Sequence, residues 1–291
     1  MQRFEYLEPA SLDEVCTVLE AHGSQAKVIA GGTDLLVQMR KGTCLPSYIV
    51  SLKKIPGLNR MTTEEDGIHI GATVTLSDAE RFLHRYPEYG LLCQAIHSLG
   101  SCQIRNRATL AGNLCNASPA ADTAPALVAL DASVRIRAQQ GDRVLSVGQF
   151  FTGPRKTILG PGEIVCEVIL PKPALPAGGV FLKQSRRPSV DLATVNVAVF
   201  AADEVLRIVL GAVAPTIVRA TAAEQFIAEH GLSRQSAAQA ARLAELSASP
   251  ISDLRGSREY RLTLIRVLTE RALLALLAER GDIYDPHFHG S

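Results

Sequence analysis

The stretch Lys27-Val28-Ile29-Ala30-Gly31-Gly32-Thr33-Asp34-Leu35-Leu36 decides how the chain is read. Val28, Ile29 and Ala30 read as a short buried strand. Gly31 and Gly32 turn the chain, and Thr33-Asp34 open a helix through Leu35, Leu36 and Met39. A strand, a glycine turn and a helix start bring several backbone N–H groups to one point, where the helix dipole favours an anion. Glycine lets a phosphate approach the backbone with no Cβ in the way. The stretch is therefore a candidate phosphate cradle for a nucleotide-type cofactor. The competing reading is plain topology, a turn with Thr33 or Asp34 as helix N-cap. It is neither common phosphate loop, having no G-x-G-x-x-G and no Lys-Ser/Thr after the glycines. Asp34 places a negative charge beside the proposed anion, so its side chain is expected to turn away and cap the helix.

Outward from this stretch, the first 55 residues alternate helix, strand, helix and strand, which predicts a small α/β lobe. Ser11 and Glu14 have the spacing of a capping box, with Val15, Val18 and Leu19 as the apolar face behind it. Tyr48 to Leu52 is the second strand. Ile68 to Ala72 predicts an alternating strand with His69 facing solvent, and Thr75 to Glu80 starts a helix. Another helix spans about 89–99, with Leu91, Leu92, Ala95, Ile96 and Leu99 at helical spacing. Gln103 to Thr123 is poor in large apolar residues and reads as a long loop. Loops of this length inside a compact domain usually serve function. Small residues at 108–113 and 117–121 would let something lie close to the backbone. A plain surface loop, with turns at Gly112-Asn113 and Ser118-Pro119, is the alternative.

Strands are expected at 133–138 and 163–170, with a turn at Gly141-Asp142 and with Phe150-Phe151 pinning a loop to the core. Pro171 to Gly179 has the proline and glycine density of a linker. Beyond it, 180–184, 192–200 and 205–213 read as three strands, the last two joined by a hairpin turn at 202–204. Helices follow at about 218–230, 234–247 and 257–280. The last carries Leu262, Ile265, Leu268, Leu273, Leu276 and Leu277 on one stripe, with its arginines and Glu270 on the other face. His287 and His289 read as a frayed terminus rather than a metal pair.

At 291 residues, 47% hydrophobic and 20% charged, the chain has the composition of an ordinary globular protein of two or three domains. A net charge of +1 gives no reason to expect nucleic acid or an acidic membrane surface. Cys16, Cys44, Cys93, Cys102, Cys115 and Cys166 form no C-x-x-C pair and no zinc or iron–sulfur ligand run, so reduced thiols in a cytoplasmic protein are expected. The N-terminus lacks the layout of a signal peptide, and no run of about 18 apolar residues predicts a membrane span.

Two glycine stretches, Ala30-Gly31-Gly32-Thr33-Asp34 and Thr109-Leu110-Ala111-Gly112-Asn113, occur in one chain. Together they make it similar to the FAD-binding medium subunit of the molybdenum hydroxylases, the group of xanthine dehydrogenase and molybdenum-type carbon monoxide dehydrogenase. The likeness continues through Gln103-Ile104-Arg105-Asn106, Asn116-Ala117-Ser118-Pro119-Ala120-Ala121-Asp122, Lys183-Gln184-Ser185-Arg186-Arg187, Asp191-Leu192-Ala193 and Gly256-Ser257-Arg258-Glu259-Tyr260-Arg261. The fold it implies is α+β. A two-lobed FAD-binding domain spans 1–173, with a small α/β lobe over about 1–55 and a larger α+β lobe over 56–173. A C-terminal domain follows at 179–282, a three-stranded antiparallel sheet with a helical bundle.

The resemblance implies that FAD contacts Lys27, Val28, Ile29, Ala30, Gly31, Gly32, Thr33, Asp34, Leu35 and Leu99. It adds Ala108, Thr109, Ala111, Gly112, Asn113, Cys115, Asn116, Ala121, Asp122, Ile164, Val165 and Lys183. The pyrophosphate would lie on Ala30 to Asp34, with Thr109, Gly112 and Asn113 closing over the cofactor. Asp122 would hold a ribose or ribityl hydroxyl, Ile164 or Val165 would touch the ring system, and Lys183 would reach the flavin edge. Ala111 stands where many relatives have glycine, and its methyl fits if its φ is negative. The first glycine turn carries no histidine or cysteine, so non-covalent FAD is expected. The cysteine-bearing insert of the 4-hydroxybenzoyl-CoA branch is absent. The implied function is electron exit, with this chain taking electrons from 2Fe-2S clusters and passing them to NAD+, oxygen or another acceptor. Molybdopterin and 2Fe-2S clusters would reside in a large and a small partner subunit, in a dimer of heterotrimers. Gln184 to Asp191 is expected as a loop at the flavin's exposed edge, or equally as a solvated hairpin or subunit contact. A non-redox binding protein on the same fold and a self-contained flavin oxidase remain the alternatives.

Overall fold

The alternation in the first 55 residues folds as a three-stranded parallel sheet. This is a computed structural model, and it describes residues 2–187 and 190–284. In chain order, β1 (Glu5–Leu7), α1 (Leu12–His22), β2 (Ala26–Ile29), α2 (Leu35–Arg40) and β3 (Tyr48–Ser51) come first. The strand order is β1-β3-β2. β1 is an exposed edge strand that the sequence reading lacks. α1 buries Val15, Cys16 and Leu19, leaving Val18 at the margin of the apolar face. The capping box forms by half. Ser11 Oγ accepts from the Glu14 N–H (3.2 Å), but the Glu14 carboxylate accepts from the Ala10 N–H (2.8 Å).

Next come β4 (Met61–Thr63), β5 (Gly67–Gly71), α3 (Leu76–Leu83), α4 (Gly90–His97), α5 (Cys102–Arg105), α6 (Leu110–Cys115) and α7 (Thr123–Ala129). β6 (Ser133–Ala138), β7 (Gly141–Ser146), β8 (Phe151–Gly153), β9 (Lys156–Thr157) and β10 (Ile164–Pro171) follow. The order β4-β5-β10-β6-β7 makes a five-stranded antiparallel sheet. All five residues of β5 are buried, so the expectation that His69 faces solvent is wrong. Its ring is 3% exposed and lies between two carboxylates. The long loop expected over 103–123 is also wrong, because α5, α6 and the start of α7 occupy it. Four and six residues in α5 and α6 are too few to show helical periodicity, but two N-caps mark them. Ser101 Oγ accepts from the Ile104 N–H (3.3 Å), and Thr109 Oγ1 from the Gly112 N–H (2.9 Å). Gly141 opens β7 instead of forming the turn. Phe150 is fully buried, edge-on to Phe151, as expected of a pin.

The remaining elements are β11 (Ala177–Gln184), β12 (Val195–Ala202), β13 (Val205–Gly211), β14 (Val218–Arg219), α8 (Thr221–His230), α9 (Arg234–Leu246) and α10 (Arg258–Tyr284). The sheet is antiparallel in the order β11-β12-β13-β14, with β14 adding a two-residue fourth strand. Ala177 to Gly179, read as linker, belong to β11. Residues 192–194 precede β12 rather than starting it.

The chain forms two compact units. The first takes the residues up to Arg85, Leu99–Ser118 and Leu130–Lys172, and holds the parallel sheet and the five-stranded sheet. The second takes Tyr86–Ser98, Pro119–Ala129 and the residues from Pro173 onward, and holds the four-stranded sheet with α4, α7 and α8 to α10. All eight residues of β12 are buried, because helices cover both faces of this sheet. Val195, Val197, Val199 and Ala201 pack into one core with Ala223, Ile227, Ala237, Ile265 and Leu273. Asn196 and Phe200 point the other way, toward α7 and α4. This two-sided burial explains why β12 alternates only in part. On α10, Ile265, Leu268, Leu273 and Leu276 are buried as expected, with Leu262 and Leu277 partly so. Arg261 breaks the expected polar face. It is 3% exposed, and its guanidinium donates to the Thr194 and Ala212 carbonyls (2.6 and 2.9 Å) and to Asp253 (2.6 Å). Among the described residues no helix is long and apolar enough to cross a membrane. His287 and His289 lie outside the described residues.

Candidate cofactor-binding site

In the first unit the turn after β2 runs directly against the backbone of residues 107 and 108. A Cβ on Gly31 would lie 2.0 Å from the Arg107 carbonyl oxygen, so no side chain fits there. Gly32 has a φ of +76°, the left-handed region that favours glycine. The N–H groups of Gly31, Gly32 and Thr33 donate to no acceptor among the described residues. The Leu36 and Gln38 N–H groups, in contrast, donate to the Gly32 and Asp34 carbonyls (3.1 and 3.0 Å). α2 is only six residues long, so its dipole adds little, and the unpaired amides make the site. Consecutive N–H groups unpaired among the described residues, at a bend whose first two residues carry no side chain, suit a diphosphate, which is the fit FAD requires.

Asp34 does not behave as expected. It occupies the N-cap position of α2, but its side chain makes no capping hydrogen bond. Its carboxyl is raised above the ordinary range, because lost hydration outweighs the Arg155 charge and a hydrogen bond with Asn116. Asn116 is a hub: its Oδ1 accepts from Gln38 Nε2 (3.2 Å) and Arg155 Nη1 (2.5 Å). The Arg155 N–H donates to the Ala117 carbonyl (2.9 Å). Gln38 and Arg155 escaped the sequence reading. Gln38 stands four residues after Asp34 on one helical face, a spacing that could have revealed it. Arg155 arrives on the β8–β9 turn and carries no local signal.

The second glycine stretch is built differently from the first. Thr109 is buried, and its Oγ1 takes the Gly112 N–H, which is therefore committed to the cap. The Ala108 carbonyl accepts from the Leu76 N–H (2.8 Å). Ala111 is buried within α6, where its methyl fits. Asn113 is half-buried and Cys115 exposed. Ile164 and Val165 lie inside β10, 4% and 2% exposed. Lys27 is exposed, while Val28, Ile29, Ala30 and Leu35 are half-buried, as is Leu99, whose carbonyl accepts from Arg105 (3.2 Å).

The second unit brings together residues far apart in sequence. Lys183 Nζ donates to Asp122 Oδ2 (2.7 Å) and to the Ser98 carbonyl (3.1 Å). Asn196 Nδ2 donates to Asp122 Oδ1 (3.2 Å) and to the Ala121 carbonyl (3.3 Å). The Lys183 and Asp122 side chains are only 9% and 5% exposed. Burial pushes the Asp122 carboxyl up, opposed by the Lys183 charge and by hydrogen bonds from Lys183 and Asn196. Both Asp122 oxygens thus have partners already. An ammonium has three donors, and the third of Lys183 is uncommitted among the described residues.

Comparison with known proteins places the chain in a family. Residues 2–173 match the model of the FAD binding domain in molybdopterin dehydrogenase, and 180–276 that of the CO dehydrogenase flavoprotein C-terminal domain. The xanthine dehydrogenase FAD-binding subunit of Escherichia coli O157:H7 is 31% identical over 283 residues, 95% of this chain and 97% of that protein. The nicotine 6-hydroxylase medium subunit of Paenarthrobacter nicotinovorans is 31% identical over 273 residues, covering 92% and 95%. Carbon monoxide dehydrogenase from Hydrogenophaga pseudoflava, solved without the Mo-pyranopterin moiety of its molybdenum cofactor, superposes with a TM-score of 0.91. Its identity is 30%, over 95% of this chain and 98% of that one. The chain therefore belongs to the family of the FAD-binding domain of molybdopterin dehydrogenases, and joins that domain to a CO dehydrogenase-type flavoprotein C-terminal domain.

Proposed function

We propose that this chain is the FAD-carrying electron-transfer subunit of a multisubunit molybdenum hydroxylase. The observation that carries the reading is the glycine turn, with three amides lacking acceptors among the described residues and no room for a Cβ on Gly31. The N–H groups of Gly31, Gly32 and Thr33 hold the diphosphate of non-covalent FAD. Residues 27–35, Leu99, the 108–116 segment, Ile164 and Val165 of the same unit form its surroundings. Arg155, fixed by Asn116, places a cation near Asp34 and so offsets the carboxylate's repulsion of phosphate. For Ala121, Asp122 and Lys183 the proposal keeps the cofactor-contacting role that the family likeness implies. The uncommitted N–H of Lys183 supports it, and its charge suits a cofactor that takes up electrons. Residues 1–173 then act as the FAD-binding domain and 179–282 as the C-terminal domain.

Bound FAD supplies the exchange between one-electron donors and a two-electron acceptor. No residue of this chain is assigned to the substrate. Substrate oxidation belongs to a large molybdenum-cofactor subunit and single-electron relay to a small 2Fe-2S subunit, an arrangement consistent with a relative named as a medium subunit. We place the chain in a dimer of heterotrimers in the cytoplasm, with NAD+, oxygen or another acceptor receiving the electrons. Affinity purification of the tagged chain from its own cells tests the assembly. Co-elution of a molybdenum-containing large chain and an iron–sulfur small chain supports the proposal. A chain that elutes alone, yellow and turning over its own substrate, would replace it with a self-contained oxidase.

A further inference from the structure

The β4–β5 hairpin carries a cluster that the cofactor site does not use. Glu64, Asp66 and His69 each present one ligand atom, and these atoms all lie within 4.8 Å of one another. His69 Nε2 is 2.9 Å from Asp66 Oδ1 and 3.8 Å from Glu64 Oε2. Ligand atoms around a tetrahedral zinc ion with bonds of about 2.0–2.1 Å stand roughly 3.3 Å apart. The two distances bracket that value, so small side-chain shifts would close the shell.

Two of the three groups are also held from behind, and the backbone that carries the third is pinned. His69 Nδ1 is 3.0 Å from Glu167 Oε2, and Arg135 anchors Glu167 through Nη2 (2.6 Å) and Nε (2.9 Å). Thr62 Oγ1 donates to Glu64 Oε1 (3.0 Å), leaving Oε2 toward the imidazole. The Asp66 carbonyl accepts from the Lys172 N–H (2.9 Å), and the Glu64 N–H closes the hairpin onto the Gly67 carbonyl (2.8 Å). A carboxylate on one ring nitrogen is the device that fixes the tautomer and aim of metal-binding imidazoles. With Nδ1–H given to Glu167, Nε2 lies at hydrogen-bond distance (2.9 Å) from Asp66 Oδ1, and an ion entering there would displace the Nε2 proton and take the lone pair that it leaves. The His69 side chain is 3% exposed, whereas those of Glu64 and Asp66 are 54% and 65% exposed, so an ion can enter from solvent and settle against a rigid floor.

We propose that Glu64, Asp66 and His69 form a binding site for a divalent transition-metal ion of zinc type, with water completing its shell. One imidazole and two carboxylates balance the ion's charge, and the nitrogen ligand favours zinc-like ions over magnesium or calcium. The test is competition between the full-length chain and a chromogenic chelator for Zn2+, with X-ray absorption at the zinc edge. Wild type should hold one ion with nitrogen and oxygen ligands. His69→Gln and Asp66→Asn should lose it, and Glu167→Gln should bind about 10–100-fold more weakly. FAD content should not change in any variant. Asp66 is exposed, so its variant keeps the test valid even if His69→Gln does not fold. No competition by wild type, equal binding by Asp66→Asn, or sulfur ligands from the exposed Cys102 or Cys115 would each overturn the proposal.

Discussion

Replacing Lys183 by methionine isolates the charge pair buried in the second unit. The ammonium sits 2.7 Å from Asp122, and both side chains are at least nine-tenths buried. Removing one partner of such a pair costs about 3–5 kcal/mol, because the other charge is left without compensation. At about 2–4 °C per kcal/mol for a unit of this size, the melting temperature should fall by roughly 6–20 °C. The pH dependence has a definite sign. The folded Asp122 carboxyl titrates above its ordinary value of 3.8. The folded state therefore binds more protons than the unfolded chain from pH 3.8 up to the raised value, and across that window stability falls as pH rises. Lys183 limits the rise, so its removal extends the window upward, and the penalty should be larger at neutral pH than at a pH near the ordinary carboxylate value. Adding Asp122→Asn to Lys183→Met should recover at least half of the loss and remove the excess pH slope. Thermal melts of the three variants at fixed FAD concentration and both pH values provide the assay. A fall of less than about 2 °C, or one equal at both pH values, would refute the reasoning.

Gly31→Ala drives a Cβ to 2.0 Å from the Arg107 carbonyl oxygen, an overpacking cost of about 1–3 kcal/mol expressed at the cradle. FAD titration should show about 10–100-fold weaker binding, whereas Gly90→Ala, whose Cβ meets nothing within 4 Å, should bind as wild type does. Asn116→Ala removes the acceptor shared by Gln38 and Arg155, with an expected loss of about 1–3 kcal/mol in stability. The same change removes a hydrogen bond that holds the Asp34 carboxyl down, so Asp34 followed by NMR should titrate higher than in wild type.

What the sequence revealed depended on how local the determinant was. The strand, turn and helix of residues 26–40 were legible because glycines and apolar residues follow one another over a few positions. α5 and α6 were not, since four and six residues are too few to show a helical apolar stripe. Their Ser101 and Thr109 caps were the overlooked signal. His69 misled because alternation assumes one wet face, and β5 lies in the sheet interior with Glu167 brought from β10 and Arg135 from β6. Lys183 and Asp122 are 61 residues apart and meet only through the fold. Arg261 was read with the polar face for its charge, although it stands four and seven residues before the buried Ile265 and Leu268, and the carbonyls of Thr194 and Ala212 that satisfy it come from elsewhere in the fold.

The central claim is that the amides of the Gly31-Gly32 turn hold the diphosphate of FAD. Hydrogen exchange of the full-length chain, read at Gly31, Gly32 and Thr33 with and without FAD, tests it most directly. These N–H groups have no acceptor among the described residues, so they should exchange fast in the FAD-free chain and slow markedly when one equivalent binds. A chain that takes no FAD, or that binds it while these amides keep their exchange rate, would contradict the account.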